Sequence, residues 1–196
     1  MRWRLLLVAL LGACTGAGLT PTPPAIDTAW GSALRLAEAE QSSAPTITVT
    51  DNRASFMWVG ADASGIHQDG RTWSSGSISD RVVLPLPPRN PFALQTLPAN
   101  VDRLHQLWLD QNSAGELRLY SALLGLPLTV ERGPIEVTQQ ATRRFAAMRL
   151  PDGGAWIIAA GGLDYAPSLY AHTLDDAGRP RLKESYEVAF EADYPA

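Results

Sequence analysis

Cysteine is nearly absent from this chain: its 196 residues carry one, Cys14. A single thiol excludes an internal disulfide and a cysteine-rich zinc site. Histidine is almost as scarce. His67, His105 and His172 are joined by no H-x-H or H-x-x-x-H spacing, so the sequence pairs no imidazoles for a metal. Clustered positive charge is missing too, with 16 basic residues against 20 acidic ones. Phosphate backbones are gripped by grouped Lys and Arg, and their lack speaks against a nucleic-acid partner. Long apolar runs are also absent. Leu5–Leu11 is far shorter than the roughly 20 residues that span a bilayer. What is present is a chain 45% hydrophobic with a small net charge, enough to fold and bury a core.

The amino terminus has a recognisable order. Met1-Arg2-Trp3-Arg4 places two cations before the apolar run, and small residues follow it. Charged, apolar and small segments in that sequence mark a secretory signal. The ending Leu11-Gly12-Ala13-Cys14 resembles the lipobox of bacterial lipoproteins. The resemblance implies cleavage before Cys14, a diacylglycerol thioether on its sulfur, and a protein tethered to a membrane of the cell envelope outside the cytoplasm. Residues 1–13 are then a signal peptide, and residues 14–29 a lipidated tether. Prolines 21, 23 and 24 fall in that stretch without periodic apolar residues, which gives an extended spacer. Losing Arg2 and Arg4 with the signal leaves 14 basic side chains against 20 acidic.

Beyond the tether the chain repeats. Trp58, Trp108 and Trp156 are 50 and 48 residues apart, each in an apolar strand-like run, and Leu119-Tyr120-Ser121 lies 50 before Leu169-Tyr170-Ala171. Reading outward predicts a four-strand unit used three times. The first unit comprises 46–50, 54–59, 65–68 and 81–84. The second comprises 92–97, 104–109, 116–123 and 134–137, and the third 144–150, 155–160, 168–174 and 184–190. Asp, Asn and Gly fall between strands, at Asp51-Asn52, Asn112-Ser113-Ala114-Gly115 and Asp152-Gly153-Gly154, where tight hairpins need them. Many short strands with one Trp per unit predict an all-β, β-propeller-like repeat of about three four-stranded antiparallel blades over residues 30–196. The blades cover about 46–85, 92–137 and 143–190, and 32–36 is a candidate closing strand. Rings need at least four blades, so three predict part of a larger ring or an incomplete one.

Asp69-Gly70-Arg71-Thr72-Trp73-Ser74 resembles the Asp-box of sialidase-type propellers, one residue short of the usual spacing and with His67 where a Ser is expected. The resemblance implies a structural hairpin between third and fourth strands, with Asp69 capping turn amides, Gly70 and Thr72 shaping the turn, and Trp73 packed between sheets. Short side chains satisfy local donors and a large ring fills a core, so the roles are physically sensible.

Catalytic chemistry is harder to find. A sialidase needs an arginine cluster, a Tyr nucleophile paired with Glu, and an acid/base Asp. The family's Phe/Tyr-Arg-Ile-Pro signature is absent, and the neighbours Arg143 and Arg144 point to opposite faces if they lie on a strand. Tyr186-Glu187 are adjacent without such a cluster. Asp110–Gly115 opens like a calcium loop, but Ala114 stands fifth and Ser121 twelfth, so a hairpin turn is expected. Each histidine reads as a hydrogen-bonded strand residue. No cofactor, metal or catalytic residue is assigned. Tyr165 and Tyr170 are the candidate ligand contacts, with Tyr120 and Trp73 behind them. The reading is a membrane-anchored, non-catalytic binding or scaffolding module with a glycan or envelope protein as partner. Its alternative is a sialidase-type glycoside hydrolase fragment lacking most catalytic residues.

Overall fold

The structure, a computed structural model, describes residues 41–42, 45–86, 90–163, 166–181 and 186–189. The signal, the tether, the closing strand 32–36 and Tyr165 lie outside the described residues. All the described residues belong to one compact unit that runs from Leu36 to the last residue.

Alternation of apolar and polar residues between Gly-, Asn- and Asp-containing turns folds this unit into three antiparallel sheets. The first is built on β3 (Arg53–Asp62) and β4 (Gly65–Ser74). β1 (Gln41–Ser42) and β2 (Thr46–Thr50) share the free edge of β3, while β5 (Ser77–Ile78) and β6 (Val82–Leu84) share that of β4. The second sheet runs in chain order through β7 (Phe92–Asn100), β8 (Arg103–Gln111), β9 (Leu117–Gly125) and β10 (Thr129–Glu136). The third repeats that order with β11 (Thr142–Arg149), β12 (Ala155–Leu163), β13 (Ala166–Leu174) and β14 (Tyr186–Ala189). Each predicted four-strand unit is therefore one sheet, and the array is all-β and propeller-like. The first sheet departs from the prediction in its extra short strands and in the length of β4, which continues past residue 68 to Ser74.

The second sheet sits between the other two. Met57, Leu84 and Leu86 of the first sheet meet Leu104, Trp108, Ala122, Leu124 and Leu128 of the second. On the opposite face of the second sheet, Leu107, Leu109 and Leu119 meet Ala155, Ile157 and Leu174 of the third. Because successive strand residues point to opposite sides, β8 supplies both cores from one run, Leu104–Leu109. The leading strands β2, β7 and β11 are drawn together. Thr48 donates its hydroxyl to the Thr96 carbonyl at 3.1 Å, and the Gln95 amide donates to the Ala147 carbonyl at 2.9 Å. Between the sheets, the buried Gln106 amide donates to the buried Gln68 side-chain carbonyl.

Two expectations need correction. Trp58 and Trp108 are buried at corresponding places, but Trp156 is 42% exposed. The reason lies in register. Trp108 pairs across the sheet with Tyr120, and the residue that pairs with Tyr170, 50 further on, is Ala159. In the second sheet the strand pairing runs Gln111 with Leu117, and in the third Leu163 with Ala166, one residue out of step with a fifty-residue repeat. The true equivalent of Trp108 is thus Ala159, fully buried, and Trp156 falls three residues short of it. Three is odd, so Trp156 lies on the opposite face, which no further described sheet covers.

The second correction concerns Asp69–Ser74. These residues form no hairpin; all lie inside β4. Asp69 is buried within the sheet and Trp73 is 40% exposed. The real turn follows at Ser75-Gly76, both with positive φ. Gly70 has a packing role: a Cβ there would press on a Leu128 methyl, so a larger residue would have to push that side chain aside. The Thr72 amide donates to Ser79 Oγ at 2.9 Å.

Candidate functional site

The three leading strands pack side by side, and each second strand ends in a hairpin at the same end of the array. That end carries Asp62–Gly65 and Asn112–Glu116. Two polar features gather there.

The first is a charged network on the outward face of the first sheet. Strand alternation puts His67 and Asp69, two apart on β4, on one face, opposite Gly60 and Trp58 of β3. The Asp69 side chain is 1% exposed. One of its oxygens lies 2.9 Å from His67 Nδ1 and the other 3.0 Å from Arg81 Nε. His67 turns Nε2 to Asp62 at 2.9 Å. Asp62 also accepts from the Ser64 amide at 2.8 Å and the Ser64 hydroxyl at 2.5 Å. These bonds, the Ser64 hydroxyl first and His67 next, lower the Asp62 carboxyl to about 2. A Cβ at residue 60 would lie 2.7 Å from the His67 ring, so Gly60 makes room for the imidazole.

The second feature is a cleft of about 300 Å³ beside the Asn112 hairpin, lined by Trp108, Tyr120, Asp110, Asn112, Pro134 and Glu136 among others. Trp108 and Tyr120 stack at 6.0 Å between ring centroids. Asp110 is fixed by backbone amides, accepting from Asn90 at 2.8 Å and Gln111 at 2.7 Å. Asn112 accepts from the Ala114 amide at 2.9 Å and the Glu116 amide at 3.0 Å, so this loop is the expected hairpin turn. Glu136 stands 3.5 Å from the Arg118 guanidinium. Trp108 is 1% exposed and backs Tyr120 from the core, so the partly buried Tyr120 ring, with a carboxylate, an amide and hydroxyls at the rim, is the apolar surface a polar ligand would meet.

Of the candidate contacts, Tyr170 is half-buried on β13 and lines neither this cleft nor a smaller one around Arg53 and Ser77. Tyr120 does line the cleft, and Trp73 does not. Among the described residues no three His, Cys, Asp or Glu side chains are placed to hold a metal ion. Arg143 and Arg144 are both exposed on β11. The sequence reading missed Asp62, His67 and Arg81 as a group. The i, i+2 spacing of His67 and Asp69 was the one available signal, since two residues apart on a strand share a face.

His105 and His172 lie on strands, but of these two only His105 is the hydrogen-bonded strand histidine expected; His172 Nε2 is buried with no hydrogen-bond partner. His105 Nε2 pairs with the Gly153 carbonyl at 2.9 Å, across the gap between second and third sheets. Burial lowers both imidazoles below their ordinary range, with the bond to the Gly153 carbonyl, and then Asp175 and Asp176, partly offsetting this at His105. Their folded values lie below the unfolded one of about 6.5, so stability is complete above that pH. Below it the unfolded chain binds protons that the folded chain refuses, and stability falls. Thermal unfolding is expected to show Tm dropping from pH 7 to pH 5, about 2–4 °C for each kcal/mol lost. His105→Gln should flatten that slope. Asp62 acts in a separate window, its contribution disappearing as pH falls from about 4 towards about 2.

The fold therefore defines a class: a propeller-like array of three antiparallel sheets with its hairpins gathered at one end. No family model and no curated protein matches the sequence. Among solved structures the chain is similar to a thermostable family-43 glycoside hydrolase, at 11% identity and TM-score 0.49, over 78% of this chain and 55% of that one. It is also similar to a family 117 glycoside hydrolase of the marine bacterium Zobellia galactanivorans, at 9% and 0.47, over 76% and 47%. A Bombyx mori GH32 beta-fructofuranosidase gives 12% and 0.48, over 78% and 36%. The chain covers less than two thirds of each.

Proposed function

We propose that this chain is an extracytoplasmic lipoprotein, anchored through Cys14, that acts as a binding or scaffolding module. The observation that carries the reading is the sequence Leu11-Gly12-Ala13-Cys14 behind a basic and then apolar start, with the only cysteine of the chain at the modified position. The Pro-rich stretch then holds the folded array off the membrane. The cleft at Trp108, Tyr120 and Glu136 is where a ligand would sit, and a glycan or a peptide of the envelope has the matching mixture of apolar faces and hydrogen-bonding groups.

The test is the Cys14→Ser variant in a bacterial host. It is expected to lose all incorporation of labelled palmitate and to leave the membrane fraction. Retained labelling would overturn the anchor. In the same cells, envelope polysaccharide retained by the wild-type protein supports the binding role, while complete lack of retention leaves the array as a spacer.

A further inference from the structure

We infer that the gap between the second and third sheets is an acid-sensitive joint: when the two histidines buried in it take up protons, the third sheet parts from the second while the first and second stay together. Strand alternation puts both imidazoles in that gap. His105 lies two residues before Leu107 on β8, and His172 two before Leu174 on β13; both leucines belong to the core that joins these sheets. His105 is fully buried and His172 is 7% exposed. No histidine faces the other gap, where the buried polar pair is Gln68 with Gln106, and neither amide titrates. His67, the remaining imidazole, lies on the outward face of the first sheet with a carboxylate oxygen 2.9 Å from each ring nitrogen.

What an added proton would meet decides the response. His105 Nε2 lies 2.9 Å from the Gly153 carbonyl, which can only accept, so Nε2 carries the hydrogen of the neutral ring and Nδ1 is bare. That Nδ1 is buried without a hydrogen-bond partner, and so is His172 Nε2. Charging either ring creates a buried cation with an N–H that has no acceptor, a cost removed when water reaches the ring. The third sheet closes off that water at His105. Gly153 belongs to the turn between β11 and β12, and a Cβ at Gly178, in the turn after β13, would stand 3.9 Å from Nδ1. The charged groups around the gap do not supply the missing acceptors. Asp175 and Asp176 act on His105 only through space, and Asp175 accepts from the Ala177 and Arg179 amides. Asp152 is held by Arg181, and Arg103, on the His105 face of β8, by Glu131 at 2.9 Å. Arg149 adds a positive charge on the gap side of β11, and Tyr170 stands beside His172 on the same face of β13. Sheets of an array touch only their neighbours, so one gap can open while the other holds. Burial lowers both imidazoles, so the closed joint is complete above pH about 6.5 and weakens below it.

The test is amide hydrogen exchange of the full chain, read by mass spectrometry at pH 7.5 and pH 5 and corrected for the intrinsic pH dependence of exchange. Protection of β11, β12 and β13 is expected to fall at pH 5 by up to about 30-fold for each imidazole that charges on opening. Protection of β3 and β4 should change by less than about threefold, since their gap stays shut. His172→Leu replaces the unpartnered nitrogen by apolar groups and is expected to fold, keeping only the part of the loss that His105 causes. His105→Gln removes the other part, and the double variant should show no pH dependence in the third sheet. Three results would overturn the joint: equal loss of protection in all three sheets, unchanged protection of β11–β13 at pH 5, or an undiminished loss in folded His172→Leu. None of these outcomes depends on the lipid or on a ligand in the cleft.

Discussion

Replacing Trp108 by alanine is expected to lower the unfolding free energy by about 3–5 kcal/mol, whereas Trp156→Ala should change it by less than about 1 kcal/mol. Trp108 is 1% exposed and stacked on Tyr120, in the core shared by the first and second sheets. Truncation removes its burial and leaves a cavity that Met57, Leu104 and Leu124 cannot fill, because the strands carrying them are fixed by ladders on both sides. Trp156 leaves no cavity, since solvent reaches 42% of it. Urea unfolding of both variants, at equal m-values, checks the pair. Equal losses would mean that the two indoles hold matching places after all.

Asp69→Asn is expected to cost about 2–3 kcal/mol. The Asp69 side chain is 1% exposed, with Arg81 Nε at 3.0 Å and His67 Nδ1 at 2.9 Å. Removing one member of a buried charge pair leaves the other desolvated without its partner, which in full burial costs about 3–5 kcal/mol. Arg81 is about a third exposed, so water takes over part of its solvation and the loss is smaller. The companion Arg81→Gln, and the double variant, separate the terms. If the pair stabilises the first sheet, the double variant loses less than the sum of the singles. Additive losses, or an Asp69→Asn within 0.5 kcal/mol of wild type, would remove the network from the account of stability.

Both predictions follow from facing, and facing is where reading the sequence stopped. The strands were legible because their signals are local: alternation within ten residues, and Gly, Asn and Asp at turns such as Asp51-Asn52 and Asn112–Gly115. The Tyr120 and Tyr170 equivalence was legible too, because it lies within one strand type at constant spacing. The Trp period misled at its third member, where the pairing of β12 with β13 differs in register by one residue and so moves the matching slot to Ala159. Asp69-Gly70-Arg71-Thr72-Trp73-Ser74 misled for a related reason. Its residue types suit a turn, but β4 continues through them because each residue from Gly65 to Ser74 pairs with β3, and this ladder outweighs local turn preference.

The sequence by itself determined the order of strands, their grouping in fours and the all-β class, since hairpin pairing needs only neighbouring segments and their turns. Tertiary structure alone decided which residues are covered, how His67, Asp69, Asp62 and Arg81 converge, and that Trp108 and Tyr120 wall a cleft. Those outcomes depend on which face of a sheet meets another sheet. A single odd step in register exchanges the two faces without altering the composition or the period of the chain.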